Sequence, residues 1–142
     1  MGANQTGWLC LKELLDRGED VVGIFTIPRE FKISYANQPV QIVRYASFED
    51  LASRGNIPVV TVEDKMKNYR NEFLKMRPDV VFVSGWYYRI PKDWLAIPPL
   101  GFIGFHPSLL PKYRGSAPLN WAIIHGEKET GMSMFYLADG ID

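Results

Sequence analysis

Apolar residues recur along this chain in short blocks with two different spacings. Some blocks are nearly continuous runs rich in valine and isoleucine, which is typical of strands covered on both faces; they are residues 21–25, 57–62 and 80–83. Other blocks place apolar residues three and four positions apart, which is the spacing of one helix face; they are residues 7–17, 48–54 and 64–76. The alternation of these blocks predicts an α/β fold, in which a mostly parallel sheet carries helices on both faces.

The second half of the chain is richer in proline than the first. Seven of the ten prolines lie after residue 77, and proline resists regular structure, so shaped loops are expected there. Between them the pattern predicts a short strand at 101–105, a helix at 117–125 and a final strand at 130–137. No composition shift marks a boundary, and a length of 142 residues fits a single domain.

Composition and charge exclude several classes of function. The 16 Lys and Arg balance the 16 Asp and Glu, so the chain lacks the basic surplus of proteins that grip nucleic acid by its phosphates. No apolar run is long enough to span a bilayer, and no charged-then-apolar leader opens the chain. Cys10 is the single cysteine and is interpreted as a small buried apolar residue rather than a reactive thiol. We expect a cytoplasmic protein without a membrane partner.

The few residues suited to chemistry differ in their context. Gly2 and Gly7 lie at the ends of the first loop, and such glycines could form a phosphate-binding turn. Trp8 stands where a phosphate loop needs lysine, so a tight turn is the better interpretation. His125 falls at a predicted helix end, where it interacts well with the helix dipole, and is interpreted as structural. No histidine pair has the helical spacing of a metal site, so no metal is expected.

His106 is the strongest candidate for chemistry. It follows a predicted strand and precedes Pro107, at the edge where open α/β sheets gather their ligands. Its ordinary pKa near 6.5 suits proton transfer at neutral pH. From the spacing alone, a catalytic histidine and a hydrogen-bonded loop histidine remain equally open.

The stretch from Gly104 to Trp121, with the later Glu129–Gly131 and Ala138–Asp142, resembles the folate-dependent formyltransferase family. That family includes methionyl-tRNA, glycinamide ribonucleotide and amino-sugar formyltransferases, and the hydrolase domain of 10-formyltetrahydrofolate dehydrogenase. The resemblance is specific from residue 79 to 142, looser from 2 to 25, and weak between them. It implies a Rossmann-like catalytic domain.

The resemblance also implies roles for individual residues. A primary amine attacks the formyl group of 10-formyltetrahydrofolate, which serves as co-substrate. His106 matches the catalytic histidine, and Asp142 the aspartate that orients it. The folate-binding residues that the resemblance implies lie in three places: after the predicted strand at 80–83, in the loop after His106, and in Ala138–Asp142. They are Tyr88, Arg89, Ile90, Ser108, Leu109, Leu110, Pro111 and Asp139.

One departure from the family pattern keeps alternatives open. Most members have asparagine two residues before the histidine, where its amide donates to the oxyanion, but this chain has Gly104. Hydrolysis of 10-formyltetrahydrofolate, or a non-catalytic nucleotide-binding module, is therefore an alternative to transfer. As acceptor we expect an amino sugar carried on a nucleotide, because the chain resembles that subgroup most in the stretches Trp86–Arg89, Lys112–Arg114 and Pro118–Trp121. Methionyl-tRNA is second because the basic surface for tRNA is lacking.

The resemblance finally predicts that the domain is truncated at both ends. Family members begin with a strand that leads into the turn matched here by Gly2–Gly7, and they continue beyond the position of Asp142. We therefore expect residues 1–142 to be one catalytic domain that lacks its first strand. The sequence does not indicate an oligomeric state.

Overall fold

The computed structural model describes residues 1–32 and 38–139. In these residues the α-helices are α1 (Gln5–Asp16), α2 (Glu49–Gly55), α3 (Arg70–Met76) and α4 (Pro118–Ile124). The strands are β1 (Ile24–Thr26), β2 (Glu30–Phe31), β3 (Val40–Gln41), β4 (Val59–Thr61), β5 (Val81–Val83), β6 (Phe102–His106) and β7 (Ser133–Tyr136). No helix of the described part is long and apolar enough to cross a membrane.

The described strands form three separate sheets, two of which contain the parallel pairing that the alternating pattern predicts. β1 pairs in parallel with β4, and β5 pairs in parallel with β6. β7 runs antiparallel to β6 and places Ser133 opposite His106. A short antiparallel pair, β2 with β3, lies in the segment that the sequence pattern predicts as a plain loop. Two-residue strands are too short to show a periodicity, so the pattern could not reveal them.

Met1 and Gly2 link the two parallel pairs. The Gly2 amide donates to the carbonyl of Phe25 in β1 at 3.0 Å, and the amide of Ser84, just after β5, donates to the carbonyl of Met1 at 3.0 Å. A side chain at Gly2 would put its Cβ 2.9 Å from the Ser84 carbonyl oxygen, so glycine is required by close backbone approach. The interpretation of the first loop as a tight turn is confirmed, and Asn4 caps α1 by accepting from the Gly7 amide.

A cavity of about 430 Å³ opens beside this link. Side chains from α1, β1, α3 and β5 line it, among them Leu14, Phe25, Met76 and Phe82. Burial lowers the pKa of the Met1 α-amino group from 8.0 to about 5. The two parallel pairs are thus bridged at one end and separated by apolar space along the rest of their length.

The main hydrophobic core packs around Phe73 of α3. Phe73 of α3 stacks on Trp94 at 4.6 Å and on Phe102 of β6 at 5.8 Å. The helix predicted over 64–76 is divided, since residues 66–69 form a 3₁₀ turn before α3 begins. Asn68 donates a side-chain hydrogen bond to Asp64 at 2.6 Å, and such local bonds compete with an α-helix. The apolar stripe still faces inward as predicted, with Met66 and Phe73 buried.

Candidate active site

His106 is the last residue of β6 and is buried. Its Nε2 lies 2.8 Å from the backbone carbonyl oxygen of Tyr113. A carbonyl oxygen only accepts, so this contact requires the ring to carry its proton on Nε2. The imidazole is therefore held in one orientation at the carboxyl end of β6, where the sequence places it.

The loop after His106 is fixed by two serine hydroxyls. Ser108 is fully buried and donates its Oγ–H to the carbonyl of Lys112 at 2.6 Å. Ser133 on β7 donates to the carbonyl of Ser108 at 2.8 Å and accepts from the amide of Leu110 at 3.1 Å. Both hydroxyls satisfy buried backbone groups of the loop, which gives the Ser108–Pro111 segment a defined shape.

The second group of implied site residues lies on the segment that follows β5. Ile90 is buried, and the half-buried Tyr88 donates its hydroxyl to the carbonyl of Glu63 at 3.4 Å. Burial raises the pKa of Tyr88. The two side chains thus anchor this segment to the body of the domain.

Asp139 connects that segment to the one that follows β7. Its carboxylate contacts Lys92 at 2.8 Å and Arg89 at 3.3 Å. Hydrogen bonding to Lys92, with a smaller contribution from Arg89, lowers the pKa of Asp139. The structure thereby brings Arg89 and Asp139 together, whereas Asp142 lies outside the described residues.

Packing explains the glycine at position 104. Gly104 is buried in the middle of β6, opposite Phe135 of β7, with ordinary strand backbone. A Cβ there would lie 2.6 Å from Leu137 Cδ1 and 3.0 Å from Phe135 Cζ. The neighbouring side chains occupy the space that the family's asparagine would need.

Tyr113 and Ser133 contact the site and were not predicted from the sequence. Ser133 carries only a weak signal, a polar residue on the inward side of an alternating strand. Tyr113 carries none, because its contribution comes from a backbone carbonyl. His125 ends α4 as predicted, and its Nδ1 also lies 3.0 Å from the Tyr113 hydroxyl.

Apolar side chains on the two segments differ in exposure. Leu109 and Pro111 are exposed on the loop after His106, whereas Ile90 is buried on the segment after β5. Among the described residues, no group of three or more histidine, cysteine or acidic side chains is arranged to hold a metal ion.

Comparison with known proteins identifies the family. The model of the family described as "Formyl transferase" matches residues 4–142. The chain belongs to the formyl transferase family. The resemblance found in the motifs around His106 and Ala138–Asp142 is therefore confirmed.

Curated relatives cover the whole chain. Methionyl-tRNA formyltransferase of Clostridioides difficile (strain 630) is 36% identical over 143 residues, which is 100% of this chain and 45% of that protein. The protein of the same name from Alkaliphilus oremlandii (strain OhILAs) is 37% identical over 145 residues, which is 100% of this chain and 44% of that protein. The chain thus spans less than half the length of these two relatives.

Solved structures show the same fold at lower sequence identity. Phosphoribosylglycinamide formyltransferase from Anaplasma phagocytophilum matches with a TM-score of 0.71 and 17% identity, covering 100% of this chain and 64% of that one. Glycinamide ribonucleotide transformylase 1 from Symbiobacterium toebii matches with a TM-score of 0.72 and 17% identity, covering 99% and 65%. The Rossmann-like α/β architecture predicted from the sequence is confirmed.

Proposed function

We propose that this domain transfers a formyl group from 10-formyltetrahydrofolate to a primary amine. The observation that carries the proposal is the buried and oriented His106 at the end of β6, in a chain that belongs to the formyl transferase family. The donor is the co-substrate, and no metal has a role in the proposal.

His106 serves as the catalytic acid and base in this proposal. The amine nitrogen attacks the formyl carbon with its lone pair, and negative charge develops on the formyl oxygen. His106 stabilises this charge and carries the proton released by the amine to the leaving nitrogen of the folate. The carbon–nitrogen bond to the folate then breaks, which yields tetrahydrofolate and the formylated amine. Asp142 is the proposed partner that orients the histidine.

The donor would lie between the two segments described above. Ser108, Leu109, Leu110 and Pro111 form one proposed wall, and Tyr88, Arg89 and Ile90 form the other. The contact between Arg89 and Asp139 supports this placement because it holds the second wall to the segment after β7. The hydroxyls of Ser108 and Ser133 keep the first wall rigid, so its shape is set before the donor binds.

Methionyl-tRNA is the acceptor that the curated relatives support, since proteins of that name are 36% and 37% identical over the whole chain. An amino sugar carried on a nucleotide, which the sequence motifs favour, is not supported by these relatives. The zero net charge still fits a small acceptor better than a nucleic acid. We propose methionyl-tRNA as the first acceptor to test and the nucleotide-linked amino sugar as the second.

Hydrolysis of 10-formyltetrahydrofolate is the second candidate function. Gly104 keeps it open, because the hydrolase domain of 10-formyltetrahydrofolate dehydrogenase, which the chain resembles, also lacks the asparagine of most family members. The amide of that asparagine donates to the oxyanion, and such a donor is typically worth about 3–4 kcal/mol of barrier. Water would then replace the amine as acceptor, and formate would be the product.

The test is release of tetrahydrofolate by the complete gene product that contains residues 1–142. Each amine is added in turn, and a reaction without amine measures hydrolysis. Release that depends on an amine, with the formylated amine found by mass spectrometry, supports transfer. Equal release with and without amine supports hydrolysis, and no release in any reaction contradicts both proposals.

A further inference from the structure

We infer that Tyr113 is a positioning residue, whose backbone carbonyl sets the proton position on His106 and whose side chain is anchored by Glu127. This inference rests on the proposed role of His106 in formyl transfer. The observations are the contact of 2.8 Å between His106 Nε2 and the Tyr113 carbonyl, and the polar cluster around the Tyr113 hydroxyl.

The backbone of Tyr113 is held in an unfavourable conformation. Its φ is 57°, in the left-handed region that bulky residues seldom adopt. Tyr113 lies in the loop after His106, and its own backbone carbonyl oxygen contacts the His106 ring. A non-glycine residue stays in this region only when its surroundings hold it there, so the anchor of its side chain matters for the carbonyl as well.

That anchor consists of three charged or titratable groups. The Tyr113 hydroxyl donates to Glu127 Oε1 at 2.6 Å, and the same oxygen accepts from Lys112 Nζ at 2.6 Å. The hydrogen bond to Glu127 raises the pKa of Tyr113, while those from Lys112 and Tyr113 lower the pKa of Glu127. Since the single hydroxyl hydrogen goes to Glu127, the contact of 3.0 Å with His125 requires that Nδ1 of His125 donates.

The anchor lies on a part of the fold remote in sequence from His106. His125 and Glu127 follow α4, whereas Tyr113 belongs to the loop before α4. Lys112 binds Glu127 next to Tyr113 and lies 5.3 Å from the centre of the tyrosine ring. The end of α4 is therefore connected through Tyr113 to the ring of His106.

The chemical consequence concerns the tautomer of His106. A carbonyl oxygen accepts from Nε2–H in the neutral ring and in the imidazolium, but gains nothing from the tautomer protonated on Nδ1 alone. The tautomer also decides which nitrogen can accept a proton from the amine. If the Tyr113 carbonyl no longer contacts Nε2, the tautomer ratio of His106 and kcat should both change, while binding of the donor is unaffected.

The experiment compares Tyr113→Phe, Glu127→Ala and Glu127→Gln with the parent protein. Tyr136→Phe serves as control, because this tyrosine is 71% exposed on β7. Imidazole ¹⁵N shifts report the tautomer of His106 in each folded protein, and steady-state kinetics separate kcat from KM for 10-formyltetrahydrofolate. Thermal unfolding verifies that each variant is folded.

We expect Tyr113→Phe and Glu127→Ala to lower the Nε2–H fraction of His106 and to reduce kcat about tenfold, with KM within twofold, because without its anchor the Tyr113 backbone relaxes from its positive φ and its carbonyl moves away from Nε2. Glu127→Gln should retain more of the Nε2–H tautomer and more of kcat, because the amide oxygen still accepts from the Tyr113 hydroxyl. Tyr136→Phe should match the parent in both quantities. An unchanged tautomer in both disruptive variants overturns the inference, whatever happens to kcat. The tautomer is measured without turnover, so absence of formyl transfer in the parent contradicts the proposed function alone.

Discussion

Asparagine in place of Gly104 adds an amide to the middle of β6, two residues before the proposed catalytic histidine. The first carbon of that side chain would lie 2.6 Å from Leu137 Cδ1 and 3.0 Å from Phe135 Cζ. Leu137 is half-buried and can rotate its methyl group aside, whereas the ring of Phe135 is the stiffer obstacle. Extra atoms in a packed interior typically cost about 1–3 kcal/mol.

Two further terms separate alanine from asparagine at this position. Loss of the glycine gains about 0.5–1 kcal/mol, because a glycine inside a strand has more freedom to lose on folding. The amide of asparagine, left without a partner among apolar side chains, costs about 1–3 kcal/mol more. We therefore expect Gly104→Ala to destabilise the domain by about 0–2 kcal/mol and Gly104→Asn by about 1–5 kcal/mol.

Urea unfolding followed by tryptophan fluorescence measures both variants beside the parent. The sequence predicts that Gly104→Asn does not abolish activity and raises kcat if its amide reaches the oxyanion, so turnover is measured on the same samples. Higher kcat at lower stability would support both arguments. A Gly104→Asn variant as stable as the parent would refute the crowding argument, and a hundredfold loss of kcat in a folded variant would show that glycine is required at this position.

Three other predictions test different parts of the account. His106→Ala should lower formyl transfer by at least a hundredfold while folate binding, followed by isothermal calorimetry, stays within threefold of the parent. Asp139→Asn should raise KM for the donor by up to about fivefold, because the pairs with Arg89 and Lys92 are exposed and hold the proposed wall only weakly; an unchanged KM would contradict the proposed wall. Burial lowers the pKa of the Met1 α-amino group to about 5 in the folded chain, from 8.0 for an exposed amine. Between these pH values the unfolded chain binds more protons than the folded one. The free energy of unfolding should therefore rise from pH 5 to pH 8, by up to about 4 kcal/mol. A chain extended before Met1 has an amide in place of this amine and should lose this part of the pH dependence, whereas an identical pH profile would contradict the burial of the amine.

The fold class could be predicted from the sequence because it depends on periodicity. The apolar blocks predicted β5 and β6, and a residue at the end of a parallel strand lies at the edge where ligands bind. The pattern therefore indicated the place of His106 in the fold, whereas its catalytic role remains a prediction. The pattern also placed the buried stripe of Met66 and Phe73, although the first turn of that segment is 3₁₀.

Contacts made by backbone atoms could not be read in this way. The carbonyl of Tyr113 reaches His106 because the tyrosine adopts a positive φ, and no residue type in the loop signals that conformation. Ser116 resembles a helix cap, but Ala117 occupies the N-cap of α4 without a side-chain hydrogen bond. The crowding at Gly104 depends on Phe135 and Leu137, which are more than 30 residues away in the chain and pair with β6 only in three dimensions.

The most direct test of the central claim is amine-dependent release of tetrahydrofolate by the complete gene product, measured beside its His106→Ala variant. We expect methionyl-tRNA or a nucleotide-linked amino sugar to accelerate release and to become formylated, and we expect the variant to lose this acceleration while it still binds folate. Release that no amine accelerates, or a variant with activity within tenfold of the parent, would contradict the assignment of His106 as the catalytic residue of a formyl transferase.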